Sequence, residues 1–332
     1  MKALRLRSAG NIELVDEPSP QPETGEALVR VLSVGICGSD LHWFMQGNIG
    51  DAVLHQPLVL GHELVGRTKD GRRVVANPLI SCGRCAACLS GAQNLCVCWR
   101  LIGIDRNPGC FQEFVALPQT QIYEVPEDLP DAQAALAEPL ANVVHLFRIA
   151  APAPFFRMGI VGGGTMGSLA LLTARWLGVR EILVEDVSEV RLDLARKMGA
   201  ALAVNTSKEE GVAEARRFAG NGLDLVLDAS GTEPARQAAF DLCSPGGLVV
   251  LLGMSSERSQ VDFVTSIRKE HRVAMSFAYT PVDFERSLAL LKAGAIDLSP
   301  WTMELPLEEG QRAFDKMTST PGETLKMLLR VS

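Results

Sequence analysis

The chain has 332 residues, about twice the ~150 of a typical single domain, which predicts two domains with a full core in each. Its 47% hydrophobic and 21% charged residues are the balance of a globular protein, not of a disordered or collagen-like one. Lys+Arg 32 against Asp+Glu 39 leaves a formal charge of −7 with no long block of one sign, which argues against nucleic acid or an anionic membrane as the main partner.

From Met1 to about Leu117 the apolar period is mostly two, in short runs such as ALVRVLSVGI (27–36) and RRVVANPLI (72–80) between Gly, Pro and Asp turns. This part is predicted to be mostly β. From about Arg157 the texture changes to repeated strand, glycine turn and helix: MGIVGGG, TMGSLALLTARWLG, EILVEDV, VRLDLARKMGA, LDLVLDASG and GGLVVLLGM. That alternation predicts βαβ units and a doubly wound parallel sheet, so the fold class is α/β. After about Met275 one amphipathic helix (FERSLALLKAG, 284–294) and a short terminal segment are expected. The N-terminal MKALRLRSAG has no apolar stretch of signal-peptide length, and no run approaches ~18 apolar residues, so a cytoplasmic protein with no membrane partner is expected.

Gly162, Gly164 and Gly167, with Thr165 and Met166 between them, fit GxGxxG after an apolar strand (Met158 to Val161) and at the start of an amphipathic helix (Ser168 to Leu177). Asp186, 22 residues after Gly164 at the end of the next strand, is placed to accept hydrogen bonds from adenosine ribose hydroxyls. The pair points to a dinucleotide whose pyrophosphate rests on a helix N-terminus, the alternative being an ordinary tight turn. An acidic residue at 186 repels a 2′-phosphate and predicts NAD; Arg191, able to reach such a phosphate, works the other way. Asp228 to Gly231, with Ser230, and Leu252 to Met254, with Gly253, fall at further strand ends and are candidates to line the nicotinamide.

Five of the eight cysteines fall between Cys82 and Cys98. Cys82, Cys85, Cys88 and Cys96 make C-x2-C-x2-C-x7-C, flanked by Gly83 and Gly91, and four thiolates without histidine describe a closed structural zinc site. An iron–sulfur cluster and chance clustering are the alternatives. Cys98 is a competitor to Cys96 as fourth ligand, though it, Cys110 and Cys243 read first as small buried hydrophobes. A second, open site is suggested by Cys37 in GICGSDLH, His62 in GHE and Glu138 in AEPL, which would leave one of four zinc positions for substrate. Read singly, Cys37 is packing, His62 a core histidine and Glu138 a helix cap.

GICGSDLH, GHE, the four-cysteine lobe, Gly109-x-Phe111-x-Glu113-Phe114, AEPL, GGGTMG and Asp186, in this order over essentially the whole chain, resemble the zinc-dependent medium-chain dehydrogenase/reductase (alcohol dehydrogenase) superfamily. SDLHWF, GNIG, PLVLGHE and the glutamate of AEPL are similar to its sorbitol, or polyol, branch, including idonate 5-dehydrogenases. The resemblance implies a GroES-like catalytic domain over 1–140, with a zinc lobe near 81–98, a Rossmann NAD-binding domain over 141–275, and a return to the catalytic domain over 276–332. It implies two zinc ions per chain, with Cys37, His62 and Glu138 holding the catalytic one, Glu138 directly or through water, and Glu63 close by as an alternative ligand. Ser39 would take the substrate proton and pass it by way of the cofactor ribose to His42, and Asp40 would orient His62.

The implied function is oxidation of a secondary alcohol of a polyol, sugar acid or cyclitol to a ketone, by a homodimer or homotetramer. Threonine or a simple diol is the alternative substrate, and a non-catalytic NAD-binding protein the alternative class. Three departures stand out: a turn trimmed to TKDGR after GHE, Trp43 where many polyol enzymes have Tyr, and Ala278 where sorbitol dehydrogenases often have Arg.

Overall fold

The computed structural model describes residues 1–49, 52–54, 57–104, 108–150 and 156–331. Gly50, the last residue of GNIG, lies outside them. The chain divides into two compact units, Met1–Ala141 with Ala278–Ser332, and Asn142–Phe277.

In the first unit, β1 (Glu26–Ile36) is the long strand on which the others assemble. It leads through Cys37 into α1 (Gly38–Gln46), and β2 (Glu63–Thr68) pairs with it antiparallel. The run 72–80, read from sequence as one strand, is broken into Arg73–Ala76 and Leu79–Ile80. Pro78 between them has no N–H for a ladder, and the Asn77 side chain instead accepts from the Leu79 amide at 3.0 Å. α2 (Ala137–Ala150) then carries the chain toward the second unit.

That unit holds β3 (Arg157–Val161), α3 (Thr165–Trp176), β4 (Glu181–Asp186), β5 (Leu202–Asn205), β6 (Leu223–Asp228), α4 (Glu233–Leu242), β7 (Cys243–Leu251) and β8 (Arg272–Met275). The strands lie side by side in the order β5-β4-β3-β6-β7-β8, and every pairing is parallel. The order reverses between β3 and β6, which opens a crevice at the carboxyl ends of those two strands.

The stretch after 275 is richer than one helix and a short tail. Besides α5 (Pro281–Lys292) it forms β9 (Thr302–Pro306), α6 (Gly310–Ser319) and β10 (Lys326–Arg330). β9 and β10 are parallel, joined by a crossover helix, and β10 pairs antiparallel with β1. The C-terminal strand is thereby a central strand of the first unit's sheet. Phe314 of α6 packs on Phe44 and Phe111 at ring-centroid distances of 5.1 and 5.8 Å, and Trp43 is buried in the same core. Cys110 and Cys243 are buried, but Cys98 is exposed, correcting its expected place in a core: it follows the last lobe cysteine, where its amide turns onto the Cys96 sulfur at 3.4 Å. Among the described residues no helix is long and apolar enough to cross a membrane.

Successive residues of β4 point to opposite faces, so while Asp186 points to the glycine turn, Glu185 points away from it. Its Oε2 is buried with no hydrogen-bond partner, and burial, reinforced by Asp241, pushes its carboxyl up to about 7. Below pH ~4.5 folded and unfolded chains both hold this proton; above it the unfolded chain ionises first, so stability falls until pH ~7 and then levels off. The full drop amounts to about 3 kcal/mol. Glu185→Gln should therefore be the more stable protein at pH 8 and converge on the wild type near pH 4, read from urea midpoints; a difference that does not grow with pH counts against this account.

Candidate metal and dinucleotide sites

In the first unit Cys37 is the N-cap of α1, and Asp40, three residues on, accepts from the Cys37 amide at 2.9 Å. The other Asp40 oxygen accepts from the Gly61 amide at 3.2 Å. One fully buried carboxylate thus ties together the two segments that present Cys37 and His62. Asp40 Oδ1 also lies 3.8 Å from His62 Nδ1, ion-pair range but beyond a hydrogen bond. Burial works against charge on the imidazole, but Asp40, Cys37 and Glu138 together raise His62 well above its usual value. That is the electrostatics of a cation-binding pocket.

The ligand atoms of Cys37, His62 and Glu63 lie within 4.8 Å of one another, a set that fits a single metal ion. Glu63 has a second claim on it: Lys326 of β10 donates to both its oxygens at 2.7 Å and to the Ile36 carbonyl at 3.1 Å, with both side chains buried. Burial opposes the lysine's charge, but Glu63 and Cys37 raise its pKa. Gly35 makes the pair possible, because a Cβ there would occupy the space of the Glu63 carboxylate. Glu138, in the first turn of α2, is outside the compact trio, yet it is buried and felt by His62. Burial raises its pKa, while His62, Lys326 and the nearby Tyr279 hydroxyl oppose the rise.

Lys326 and Tyr279 escaped the sequence reading. The signal for Lys326 was a cation inside the apolar strand KMLLR; Tyr279 had none. Lys326→Met strands a buried carboxylate and should cost about 3–5 kcal/mol, and adding Glu63→Gln should restore most of it. Denaturation midpoints of the single and double variants check this; equal destabilisation in both would refute the pairing.

Ser39, His42 and Trp43 fall at i, i+3 and i+4 of α1 and share a face. Ser39 Oγ and Trp43 Nε1 are each buried without a hydrogen-bond partner, whereas His42 is half-exposed.

The four lobe thiols also lie within 4.8 Å of one another, with Cys82–Cys88 and Cys85–Cys88 sulfur separations of 3.9 and 3.5 Å. Tetrahedral zinc with ~2.3 Å bonds spaces its sulfurs by about 3.8 Å, so the set fits one ion. The amides of Cys88 and Val97 pull the Cys85 thiol down to about 6, a thiolate ready to bind metal.

In the second unit Gly162 takes φ +108°, and Gly164 caps α3, whose N-terminus closes the turn. A side chain at Gly167 would collide with the Gly162 carbonyl, so the third glycine sets the close approach of helix and strand. Thr165 and Met166 open the helix. Asp186 accepts from the Gly163 amide at 2.7 Å and the Ser188 amide at 2.8 Å, and Arg191 lies 3.7 Å from it. Ser230, Gly231 and Gly253 sit at the ends of β6 and β7 on the other side of the reversal in strand order. This carboxyl edge is where an open parallel sheet binds a dinucleotide.

Residues 165–293 match the family model of the zinc-binding dehydrogenase, and residues 23–127 that of the alcohol dehydrogenase GroES-like domain. The chain is 32% identical to L-threonine 3-dehydrogenase of Deinococcus deserti, over 99% of this chain and 98% of that one. It is 29% identical to sorbitol dehydrogenase of Bacillus subtilis, over 99% and 97%. Its fold superposes on L-idonate 5-dehydrogenase of Escherichia coli K-12 with a TM-score of 0.91 at 26% identity, covering 99% and 97%.

Proposed function

Since the chain belongs to the zinc-dependent medium-chain dehydrogenase/reductase superfamily, and is an oxidoreductase using zinc and NAD(P), we propose that it oxidises a secondary alcohol of a polyol, sugar acid or cyclitol to the ketone. In this reading residues 1–140 and 276–332 form the GroES-like catalytic domain and 141–275 the Rossmann domain. Cys37, His62 and Glu138 hold the catalytic zinc; Cys82, Cys85, Cys88 and Cys96 hold the structural one. The observation that carries it is the buried pocket of Cys37 and His62, tied by Asp40, with Glu63 neutralised by Lys326 so that Glu138 is left as the third ligand.

Zinc, when bound, supplies Lewis acidity toward the substrate hydroxyl, and NAD accepts the hydride. The chain does the rest. Ser39 Oγ, buried and without a partner, accepts the hydroxyl proton while releasing its own, and the half-exposed His42 delivers a proton to water. Asp186, held at the glycine turn, favours NAD over NADP.

The eight free thiols suit a reducing cytoplasm. The edge strand β8 exposes Val273 and Met275, beside Phe263, Val264 and Ile267, which supports pairing of copies along this edge.

The test is a substrate panel with zinc-replete protein, following NADH and NADPH formation across polyols, sugar acids, cyclitols, threonine and short secondary alcohols. A polyol or sugar acid is expected to exceed threonine and simple diols by at least about tenfold in kcat/KM with NAD. Threonine as the best substrate overturns the substrate class. Turnover with one zinc per chain overturns the catalytic metal site.

A further inference from the structure

At the carboxyl edge of the second unit the chain makes two turns that lie back to back. Residues 229–231 leave β6, and residues 252–259 leave β7. Gly231, at φ +75°, and Gly253 are so close that a Cβ on either would overlap the backbone of the other. Together they form a ledge made of main chain. It lies across the reversal in strand order from Asp186, so if Asp186 takes the adenosine end of a dinucleotide, the ledge takes the nicotinamide end.

The ledge is held from beneath by two charged side chains. Asp228, fully buried at the end of β6, accepts through Oδ1 from the amides of Ser230 (3.0 Å) and Gly231 (2.7 Å), while its carbonyl accepts from the amides of Leu252 and Gly253, both at 3.0 Å. Arg236 rises from the first turns of α4 with 15% of its side chain exposed. Its Nη1 donates to Ser259 Oγ at 2.7 Å, its Nη2 to the Gly253 carbonyl at 3.3 Å, and its Nε lies 3.7 Å from Asp228 Oδ2. The guanidinium hydrogen-bonds both Ser259 and Gly253 while keeping its charge within ion-pair range of Asp228. A lysine at this position has a single nitrogen and no planar fork, so it cannot make all three contacts at once.

We infer that Arg236 is a positioning residue for the nicotinamide end of the cofactor: with Asp228 it locks the 229–231 and 252–259 turns into one ledge whose height sets where the ring lies. The inference rests on the dinucleotide reading of this unit. It assigns to α4 a role in hydride transfer that its side chains do not perform by touching the reacting atoms.

A merely structural arginine and a positioning one differ in what its loss does to the two halves of the cofactor. ADP-ribose uses the Asp186 side alone, whereas NADH also uses the ledge. The full zinc-replete chain would be compared as wild type, as Arg236→Lys, and as Arg236→Met combined with Asp228→Asn, which leaves no buried unpaired charge. NADH binding would be read by fluorescence, ADP-ribose binding by calorimetry and folding by thermal melts. For both variants the expected result is about a tenfold weaker NADH affinity with ADP-ribose unchanged, and a kcat that falls with it. Equal weakening of both ligands, or no change in either, overturns the clamp. Wild-type protein that binds neither ligand overturns the dinucleotide reading itself.

Discussion

Replacing Cys37 by serine is expected to lower kcat by at least about a thousandfold while leaving NADH affinity within about twofold of the wild type. The magnitude follows from what the metal contributes: several kcal/mol of charge stabilisation at the substrate oxygen, each 1.36 kcal/mol being tenfold in rate. Serine at 37 keeps the N-cap of α1 and the amide that donates to Asp40, so the local backbone has no reason to change. What goes is the sulfur ligand, and with it one of the groups that, beside Asp40 and Glu138, make the His62 pocket attractive to a cation. The dinucleotide residues Gly162 to Gly167 and Asp186 belong to the other compact unit. Zinc analysis should find the chain short of one ion, and retained turnover would remove Cys37 from the catalytic set.

Cys85→Ser is expected to do the opposite: a lower melting temperature, on the order of 10 °C, with kcat of the surviving folded protein changed by less than about threefold. The lobe has almost no regular structure to fall back on, only the four-residue helix Ala86–Leu89 and the short turn Gln93–Leu95. Leu89, Leu95, Val97 and Trp99 are exposed, so apolar burial does little for it. In the structural-zinc reading its stability would come from metal binding, which in small zinc modules supplies about 10–16 kcal/mol. Opening one of four ligands should unravel 81–98 and make it the first point of proteolytic cleavage. A variant with an unchanged melt and a purely kinetic defect would contradict a structural role for this site.

The three candidate sites differ in how far the chain alone reveals them. The four-cysteine lobe is local: its ligands lie within fifteen residues, and any fold that keeps the turns at Gly83 and Gly91 brings the sulfurs together. The dinucleotide turn is local too, because strand, glycines and helix follow directly along the chain and Asp186 ends the next strand. Cys37 and His62 needed the order of several motifs to be read as one site, since each alone has an ordinary packing role.

What the sequence determined by itself, then, was whatever short-range pattern controls: the β-rich beginning, the alternating strands and helices from Arg157, the lobe, the glycine turn and its acidic partner. Long-range pairing took shape only once the chain folded. Glu63 stands ready to join Cys37 and His62, but β10 brings Lys326 from 263 residues away to hold it. Arg236 reads as one more polar residue on an amphipathic helix until α4 sets it under Asp228 and Gly253. The physical reason is the same in both cases: burial makes a charged group dependent on a partner. Which residue is that partner is fixed by strand register and helix placement, not by spacing along the chain.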